Sequence, residues 1–265
     1  MFACVGLLLI VGCKKELDLD YHTVTALYVA EGSVTQDGTT VLLSTSQDIS
    51  DNSRKEHAVS GATMVVSVPE LGISQTLKDE GQGRYTSPLK GIPGNVYQLD
   101  IDIDGRHFTS TSTMQEMPVV SSYRFVWRKM MTESMLFFEL RLQDIPNQNN
   151  YYFMHLYRNN QGYRWAVKRD DTNPGGELQQ LFNCSTKRDI EEGGSDVIAD
   201  GDRIRLEVRT IDKAAYDYLY SMQVMDNAGT NPIQNFSGGC LGYFSAYSVQ
   251  NQYLTFHLSD VEEDN

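Results

Sequence analysis

The sequence predicts an all-β protein built from two β-sandwich-like domains, the second of which carries one packed helix. Short runs rich in β-branched and aromatic residues recur along the chain, and many alternate apolar with polar side chains as half-buried strands do. Turn-forming Gly, Asp, Asn and Ser separate these runs. The chain has 265 residues, 40% of them hydrophobic, which is enough for two ordinary domains with their own cores.

The N-terminal domain is predicted over residues 23–116. Asp37-Gly38 and Asp104-Gly105 have the composition of hairpin turns. No helical periodicity competes with the strand pattern in this half of the chain. The predicted strands are 24–30, 40–46, 63–68, 73–78, 97–103 and 107–113. Roughly seven short strands within about a hundred residues are typical of a β-sandwich.

The C-terminal domain is predicted over residues 117–265, because Met117-Pro118 interrupts the pattern and the strands beyond it are richer in aromatics. Residues 212–226 form the one predicted helix, which Asp212 can cap and in which Ala215, Leu219 and Met222 share a face. Polar, glycine-rich loops are predicted near 170–177 and 190–202, where binding function is often carried. The predicted strands are 123–131, 135–143, 151–158, 163–168, 203–209 and 253–258.

The first 12 residues predict a bacterial lipoprotein signal peptide. An apolar run ends in the small Gly12, which suits a signal-peptidase pocket, and Cys13 would become the lipidated first residue of the mature chain. Residues 13–22 would be its polar tether. The run is shorter than the roughly 20 residues of a membrane-spanning helix. An ordinary secretory signal and a buried N-terminal segment remain as alternatives. Several acyl chains together hold a protein firmly to a membrane.

The formal net charge of −13 argues against two classes of partner. Nucleic acid binding needs clustered Lys and Arg, and so does docking of a basic patch on anionic lipid. Solubility is the simplest explanation of the acidity, ahead of a cation-binding surface.

The cysteines fall into three groups. Cys4 leaves with the signal peptide and Cys13 is the lipidation site, so Cys184 and Cys240 remain. A disulfide between these two is possible in an extracytoplasmic compartment. The alternative is two buried thiols that act as small hydrophobic residues. No CxxC or Cys/His ligand spacing occurs, so no zinc site is predicted.

One acidic motif resembles half of a calcium loop. Asp100, Asp102 and Asp104 are spaced as in its first half, but Thr111 stands where a bidentate Glu is required. The residues between the aspartates are apolar and suit a strand. A simple turn is therefore the favoured interpretation.

No catalytic set, metal site or cofactor is predicted. The five histidines lack metal-ligand spacing, although His155 and His257 could meet in space. No GxSxG motif occurs, and the glycine cluster around Cys240 has no assignable base. Paired carboxylates for glycoside cleavage stay open, because their separation cannot be read from a sequence.

An aromatic cluster in the second half is the candidate surface for a ligand or partner. Aromatic faces stack on ligands and serve as interface hot spots. Packing on the strands would explain the same residues. The candidates are Tyr163, Arg164, Trp165, Tyr216 and Tyr220.

Short motifs that follow one another along nearly the whole chain resemble, in their order and spacing, those of one protein family. They are Cys13, 28–32 (YVAEG), 59–66 (VSGATMVV), 83–85 (GRY), 94–99 (GNVYQL), 231–232 (NP) and 242–246 (GYFSA). Together they resemble the lipoproteins of Bacteroidetes-type outer membranes that are grouped as domain-of-unknown-function family 4249. The first half is also similar to the small transthyretin-like or carboxypeptidase-regulatory sandwich, through its Gly-Ala-Thr, Gly-x-Tyr and Gly-x-x-Tyr-x-Leu elements.

The resemblance implies a setting and a role. Members tend to be encoded beside TonB-dependent outer-membrane transporters, and no catalytic residues carry over. The stretch 14–18 is loosely similar to the charged segment that sends such lipoproteins to the cell exterior. We therefore expect a non-enzymatic outer-membrane lipoprotein that captures a ligand for a TonB-dependent transporter or caps it. The alternatives are a structural or adhesin-like envelope lipoprotein and a hydrolase of glycans or peptides.

Overall fold

A computed structural model describes residues 26–46, 57–146, 148–170, 176–194, 197–228 and 232–264. The predicted signal peptide 1–12, the lipidation site Cys13 and the tether 13–22 lie outside the described residues. Within the described part, no helix is both long enough and apolar enough to span a membrane.

The described residues form an all-β protein of seventeen strands in four sheets, with two α-helices, which confirms the predicted fold class. In the first part of the chain the strands are β1 (Tyr28–Thr35), β2 (Gly38–Thr45), β3 (Thr63–Val68), β4 (Ile73–Thr76), β5 (Lys78–Gly81), β6 (Arg84–Ser87), β7 (Val96–Ile103) and β8 (Arg106–Thr113). They are followed by β9 (Val119–Met130), β10 (Glu133–Gln143), β11 (Tyr151–Arg158), β12 (Gln161–Arg169), β13 (Glu177–Thr186), α1 (Lys187–Glu192), β14 (Arg203–Ile211), α2 (Lys213–Ala228), β15 (Leu241–Ala246), β16 (Ser248–Thr255) and β17 (Glu262–Glu263).

The first sandwich packs the sheet β15-β1-β2-β6-β5 against the sheet β4-β3-β7-β8. Its largest core side chains, Tyr85, Tyr97, Phe108 and Phe244, are all buried. Alternate residues of its longer strands, such as β3 and β7, are buried, as the period of a half-buried strand requires. The predicted turn at Asp104-Gly105 joins β7 to β8, and both of its residues have positive φ.

A strand from far along the chain completes the first sandwich. β15 pairs with β1 in parallel, so that Ala30 lies opposite Gly242. The domain boundaries predicted from the sequence placed all of 117–265 in the second domain, and the structure differs here. The close approach depends on Gly242, because a Cβ there would lie 2.0 Å from the carbonyl oxygen of Ala30.

The second sandwich packs the sheet β13-β10-β9-β17 against the sheet β12-β11-β14-β16. The inward face of β10 holds Leu136, Phe138, Leu140 and Leu142, each 0% exposed, as its alternation predicts. β12 is an edge strand of one sheet and β13 an edge strand of the other. This arrangement leaves one side of the sandwich open among the described residues.

The predicted helix is present as α2, and it lies between the two sandwiches. It contacts β11 and β12 of the second sandwich and β15 of the first. Asp212 caps it by accepting a hydrogen bond from the Ala215 N–H at 2.9 Å, and it accepts another from the Thr113 N–H at 2.9 Å. Ala215 and Leu219 are buried as predicted, but Met222 is 37% exposed.

Candidate functional site

A groove of about 550 Å³ runs along the open side of the second sandwich. Strand β12 forms one wall and β13 the other, and the C-terminal half of α2 reaches its rim. The volume falls in the roughly 300–1,000 Å³ range of small-molecule sites. We call this feature the edge groove. Its lining residues are Met135, Arg164, Trp165, Ala166, Gln180, Leu181, Phe182, Asn183, Cys184, Ser185, Thr186, Asp189, Val197 and Gln223.

Side chains cover carbonyl groups along the edge of β13 beside the edge groove. Arg164 Nε donates a hydrogen bond to the carbonyl oxygen of Asn183 at 2.9 Å. The ammonium group of Lys168 donates to the carbonyl of Gln179, and Gln180 Nε2 donates to that of Leu181 at 2.8 Å. An uncovered strand edge would be a template for pairing with another chain. The carbonyl groups at every second residue from 179 to 183 of β13 therefore already accept hydrogen bonds from side chains of the protein.

Trp165 and Gln223 both line the edge groove, although they come from different elements. The Trp165 side chain on β12 is 41% exposed. Gln223 Oε1 on α2 accepts a hydrogen bond from the Val167 N–H at 3.0 Å. This bond fixes the helix over β12 and leaves the Gln223 amide N–H groups for a ligand.

Beside Trp165 on β12 lie three rings on the outer face of β11, those of Phe153, His155 and Tyr157. We call these four residues the aromatic row. Phe153 and Trp165 stack with ring centroids 6.0 Å apart, and His155 stacks on Tyr157 at 3.9 Å. Phe153 and His155 meet edge to face at 5.8 Å. Burial lowers the pKa of His155 below its ordinary 6.5, so its imidazole is neutral at pH 7.

A buried ion-pair cluster holds the aromatic row from the neighbouring strand β14. Glu207, 8% exposed, pairs with Arg205 at 2.6 Å and with Arg209 at 2.5 Å. The Arg205 guanidinium lies 3.6 Å from the Tyr157 ring centroid, and that of Arg209 lies 4.7 Å from the Phe153 centroid. Burial opposes ionisation of Glu207, but the two arginines outweigh it and hold its pKa below the ordinary value. The row is thus fixed by charge-assisted and cation–π contacts.

The family model for a domain of unknown function, DUF4249, matches residues 14–253. The chain belongs to the DUF4249 family. The matched range includes the first sandwich, the edge groove, the aromatic row and the second sandwich up to residue 253 within β16, and it leaves out β17. No curated protein matches the sequence.

Two of the predicted surface residues of this DUF4249 protein, Arg164 and Trp165, line the edge groove. Their neighbour Tyr163 points inward: its hydroxyl donates to the Cys184 carbonyl at 2.6 Å, and the Arg164 guanidinium lies 4.2 Å from its ring centroid. Burial raises the pKa of Tyr163 to about 12. Tyr163 therefore supports the wall of the groove from behind.

The two predicted tyrosines of α2 lie outside the lining of the edge groove. Tyr216 is 6% exposed and stands between Tyr151, with centroids 5.1 Å apart, and Tyr220, at 5.5 Å. Tyr220 is 45% exposed. The structure thus divides the five candidates into two groove residues, one supporting residue and a stacked pair on the helix.

Sequence reasoning missed the polar side of the edge groove. Gln223 lies seven positions after Tyr216, close to two helical turns, so helical spacing could have placed it on the same face. Asn183 and Gln180 lie on β13, which is absent from the predicted strands. A β-bulge between β13 and β10 interrupts the alternation there, so no simple pattern marks this strand.

The Cys184–Cys240 disulfide that the sequence leaves possible does not form. Both thiols are free and buried, Cys184 in the core of the second sandwich and Cys240 in that of the first. The alternative of two small buried hydrophobic residues fits instead. Burial raises the pKa of each thiol to about 12, which keeps both in the less reactive protonated form.

The other polar motifs have separate local partners. Asp102 accepts a hydrogen bond from His107 Nδ1 at 2.9 Å on the β7–β8 hairpin, where the turn interpretation holds. His257 pairs with Asp200 at 3.5 Å, whereas His155 lies in the aromatic row. Within the described residues, no three His, Cys, Asp or Glu side chains are grouped as a metal site.

Proposed function

We propose that this DUF4249 protein is a lipid-anchored, non-enzymatic protein of the outer membrane, facing the cell exterior. Its edge groove captures a ligand for a TonB-dependent transporter, and the protein can cap that transporter while doing so. The observation that carries this proposal is the groove, which presents an exposed Trp165 beside fixed polar side chains.

The groove is pre-organised, which favours binding. Trp165 is backed by Phe153, and Arg164 is held by two main-chain carbonyls, those of Asn183 and Tyr163. Side chains that are already ordered lose little conformational entropy when a ligand arrives. Exposed aromatics and polar groups on a rigid β-scaffold are the usual components of a capture site.

The anchor and the family supply the membrane part of the proposal. Cys13 precedes the first described strand, which begins at Tyr28, by fifteen residues. A chain of that length spans at most about 50 Å. This reach allows the folded part to meet an outer-membrane partner while the lipid stays in the bilayer.

Co-purification tests the proposal. The tagged full chain is extracted from outer membranes in mild detergent, and its partners are identified by mass spectrometry. We expect a TonB-dependent transporter in the wild-type eluate and its loss from a Cys13→Ala variant, which lacks the acyl anchor. A wild-type eluate without any transporter would contradict the proposal.

A matched pair of variants links the groove to the role. Trp165→Ala removes the exposed ring of the groove, and Tyr253→Ala removes a 72% exposed ring on β16 that does not line it. We expect slower uptake of the transporter's substrate in cells carrying the first variant only. Equal uptake in both strains would contradict a role for the edge groove.

A further inference from the structure

We infer that the edge groove binds a neutral oligosaccharide, with one sugar ring stacked on Trp165 and its hydroxyl groups bonded to the amides of Gln223 and Asn183. The inference rests on the proposed function, because it names the ligand class of the same site. Four properties of the groove support it: its aromatic platform, its amide content, its charge balance and its covered strand edge.

The platform is a supported aromatic face. Trp165 is 41% exposed, and Phe153 stacks behind it with an interplanar angle of 28°. The negative face of an indole attracts the weakly positive C–H groups on the apolar face of a sugar ring. Because Phe153 is itself held by Arg209, the platform keeps its orientation without a ligand.

The polar lining matches hydroxyl groups. Gln180, Asn183 and Gln223 bring amides, which both donate and accept hydrogen bonds, and Ser185 and Thr186 bring hydroxyls. A sugar hydroxyl also donates and accepts. Such a lining can satisfy several hydroxyls at once, which a purely aromatic surface cannot do.

The charges of the groove favour a neutral ligand. Its charged lining residues are one arginine, Arg164, and one aspartate, Asp189. Arg164 already donates from Nε to the Asn183 carbonyl and from Nη1 to the Tyr163 carbonyl. The Asp189 carboxylate offsets the charge of Arg164, so the lining has no net charge that would attract an anionic ligand.

The strand edges beside the groove, whose main-chain groups already have partners, disfavour binding of an extended peptide, which is the main alternative to a sugar as the ligand. A peptide that adds to a sheet edge binds through main-chain hydrogen bonds. The carbonyls of Gln179, Leu181 and Asn183 on β13 already accept side-chain donors, and the Val167 N–H on β12 already donates to Gln223. A peptide strand would have to displace these bonds, whereas a sugar ring would leave them in place.

Tryptophan fluorescence provides a direct test, because the chain has two tryptophans and Trp127 is 7% exposed in the second core. The probes are hexasaccharides of α-glucose, β-glucose, mannose and xylose, with an oligogalacturonate as the anionic probe and a decapeptide pool as the peptide probe. We expect at least one neutral hexasaccharide to shift the emission of the full chain, and the oligogalacturonate and peptides to leave it unchanged.

Variants then assign the shift to the groove. We expect Trp165→Ala to weaken binding, measured by calorimetry, by more than about tenfold, and Gln223→Ala by about five- to tenfold, the effect of one or two lost hydrogen bonds. Tyr253→Ala is the matched surface control and keeps wild-type affinity. Circular dichroism checks that each variant is folded.

The outcomes separate the two proposals. If no neutral hexasaccharide binds, or if binding survives in both Trp165→Ala and Gln223→Ala, the oligosaccharide inference is overturned. If peptides bind and Trp165→Ala abolishes that binding, the inference fails while ligand capture by the groove stands. If nothing binds and no transporter co-purifies, the proposed function fails as well.

Discussion

Replacing Gly242 by alanine tests how the first sandwich is completed. The new Cβ would lie 2.0 Å from the carbonyl oxygen, 2.8 Å from the carbonyl carbon and 3.0 Å from the nitrogen of Ala30. All three are main-chain atoms, so β15 and β1 would have to separate along their parallel register. Gly242 also has a φ of +93°, which L-residues rarely adopt.

Gly239 supplies the matched control for that substitution. Its φ is +83°, but a Cβ there would meet nothing within 4 Å. Gly239→Ala therefore carries backbone strain alone, about 1–2 kcal/mol. Gly242→Ala adds the steric term, which is about 1–3 kcal/mol for an overpacked site. We expect a total loss in unfolding free energy of about 2–5 kcal/mol.

Urea denaturation followed by two probes measures this difference. Both tryptophans lie in the second sandwich, so their fluorescence reports its unfolding, and far-ultraviolet circular dichroism reports both sandwiches. We expect Gly242→Ala to lower the midpoint of the circular dichroism transition more than that of the fluorescence transition. Equal losses of stability in Gly242→Ala and Gly239→Ala would refute the steric reasoning.

Three further substitutions or treatments test the buried polar groups. Glu207→Gln leaves two arginines without their anion, and we expect a loss of about 1–3 kcal/mol in urea melts at pH 7. Because the folded-state pKa of Glu207 is depressed, the difference from wild type should shrink as the pH falls below 4.5 and through that pKa. Asp212→Ala removes the α2 cap and should cost about 1–2 kcal/mol in the same assay. In a Cys4→Ser/Cys13→Ser background, Ellman's reagent should label Cys184 and Cys240 only after denaturation, since both thiols are buried; rapid labelling of the native protein would contradict their burial.

Local patterns in the sequence predict most of the strands, because a half-buried strand shows its period directly. β10 alternates cleanly, and its four inward residues are fully buried. β13 is not predicted in this way, because a β-bulge interrupts its pairing with β10 and so breaks the alternation of its side chains. The sequence does not predict that β15 belongs to the first sandwich, for another reason. Its pairing with β1 joins residues about two hundred positions apart, and local sequence carries no signal for such a contact.

The candidate site, too, is only partly predictable from the sequence. Composition predicts an aromatic surface, and the structure places Trp165 and Arg164 in the edge groove. Tyr163 points inward because its hydroxyl donates a hydrogen bond to the carbonyl of Cys184 on the facing sheet. Only the tertiary structure reveals that partner. Gln223 and Asn183 join the groove through the packing of α2 and the register of β13, which composition alone does not supply.

The central claim is that the edge groove is the binding site. Hydrogen–deuterium exchange of the full chain, measured without sugar and with each neutral hexasaccharide at a saturating concentration, tests it most directly. The account predicts slower amide exchange confined to β12, β13 and the C-terminal half of α2, the elements that enclose the edge groove. Trp165→Ala should abolish that protection, and Tyr253→Ala should retain it. Protection confined to other strands, or unchanged exchange in β12 and β13 with every sugar, would contradict the assignment of the groove as the binding site.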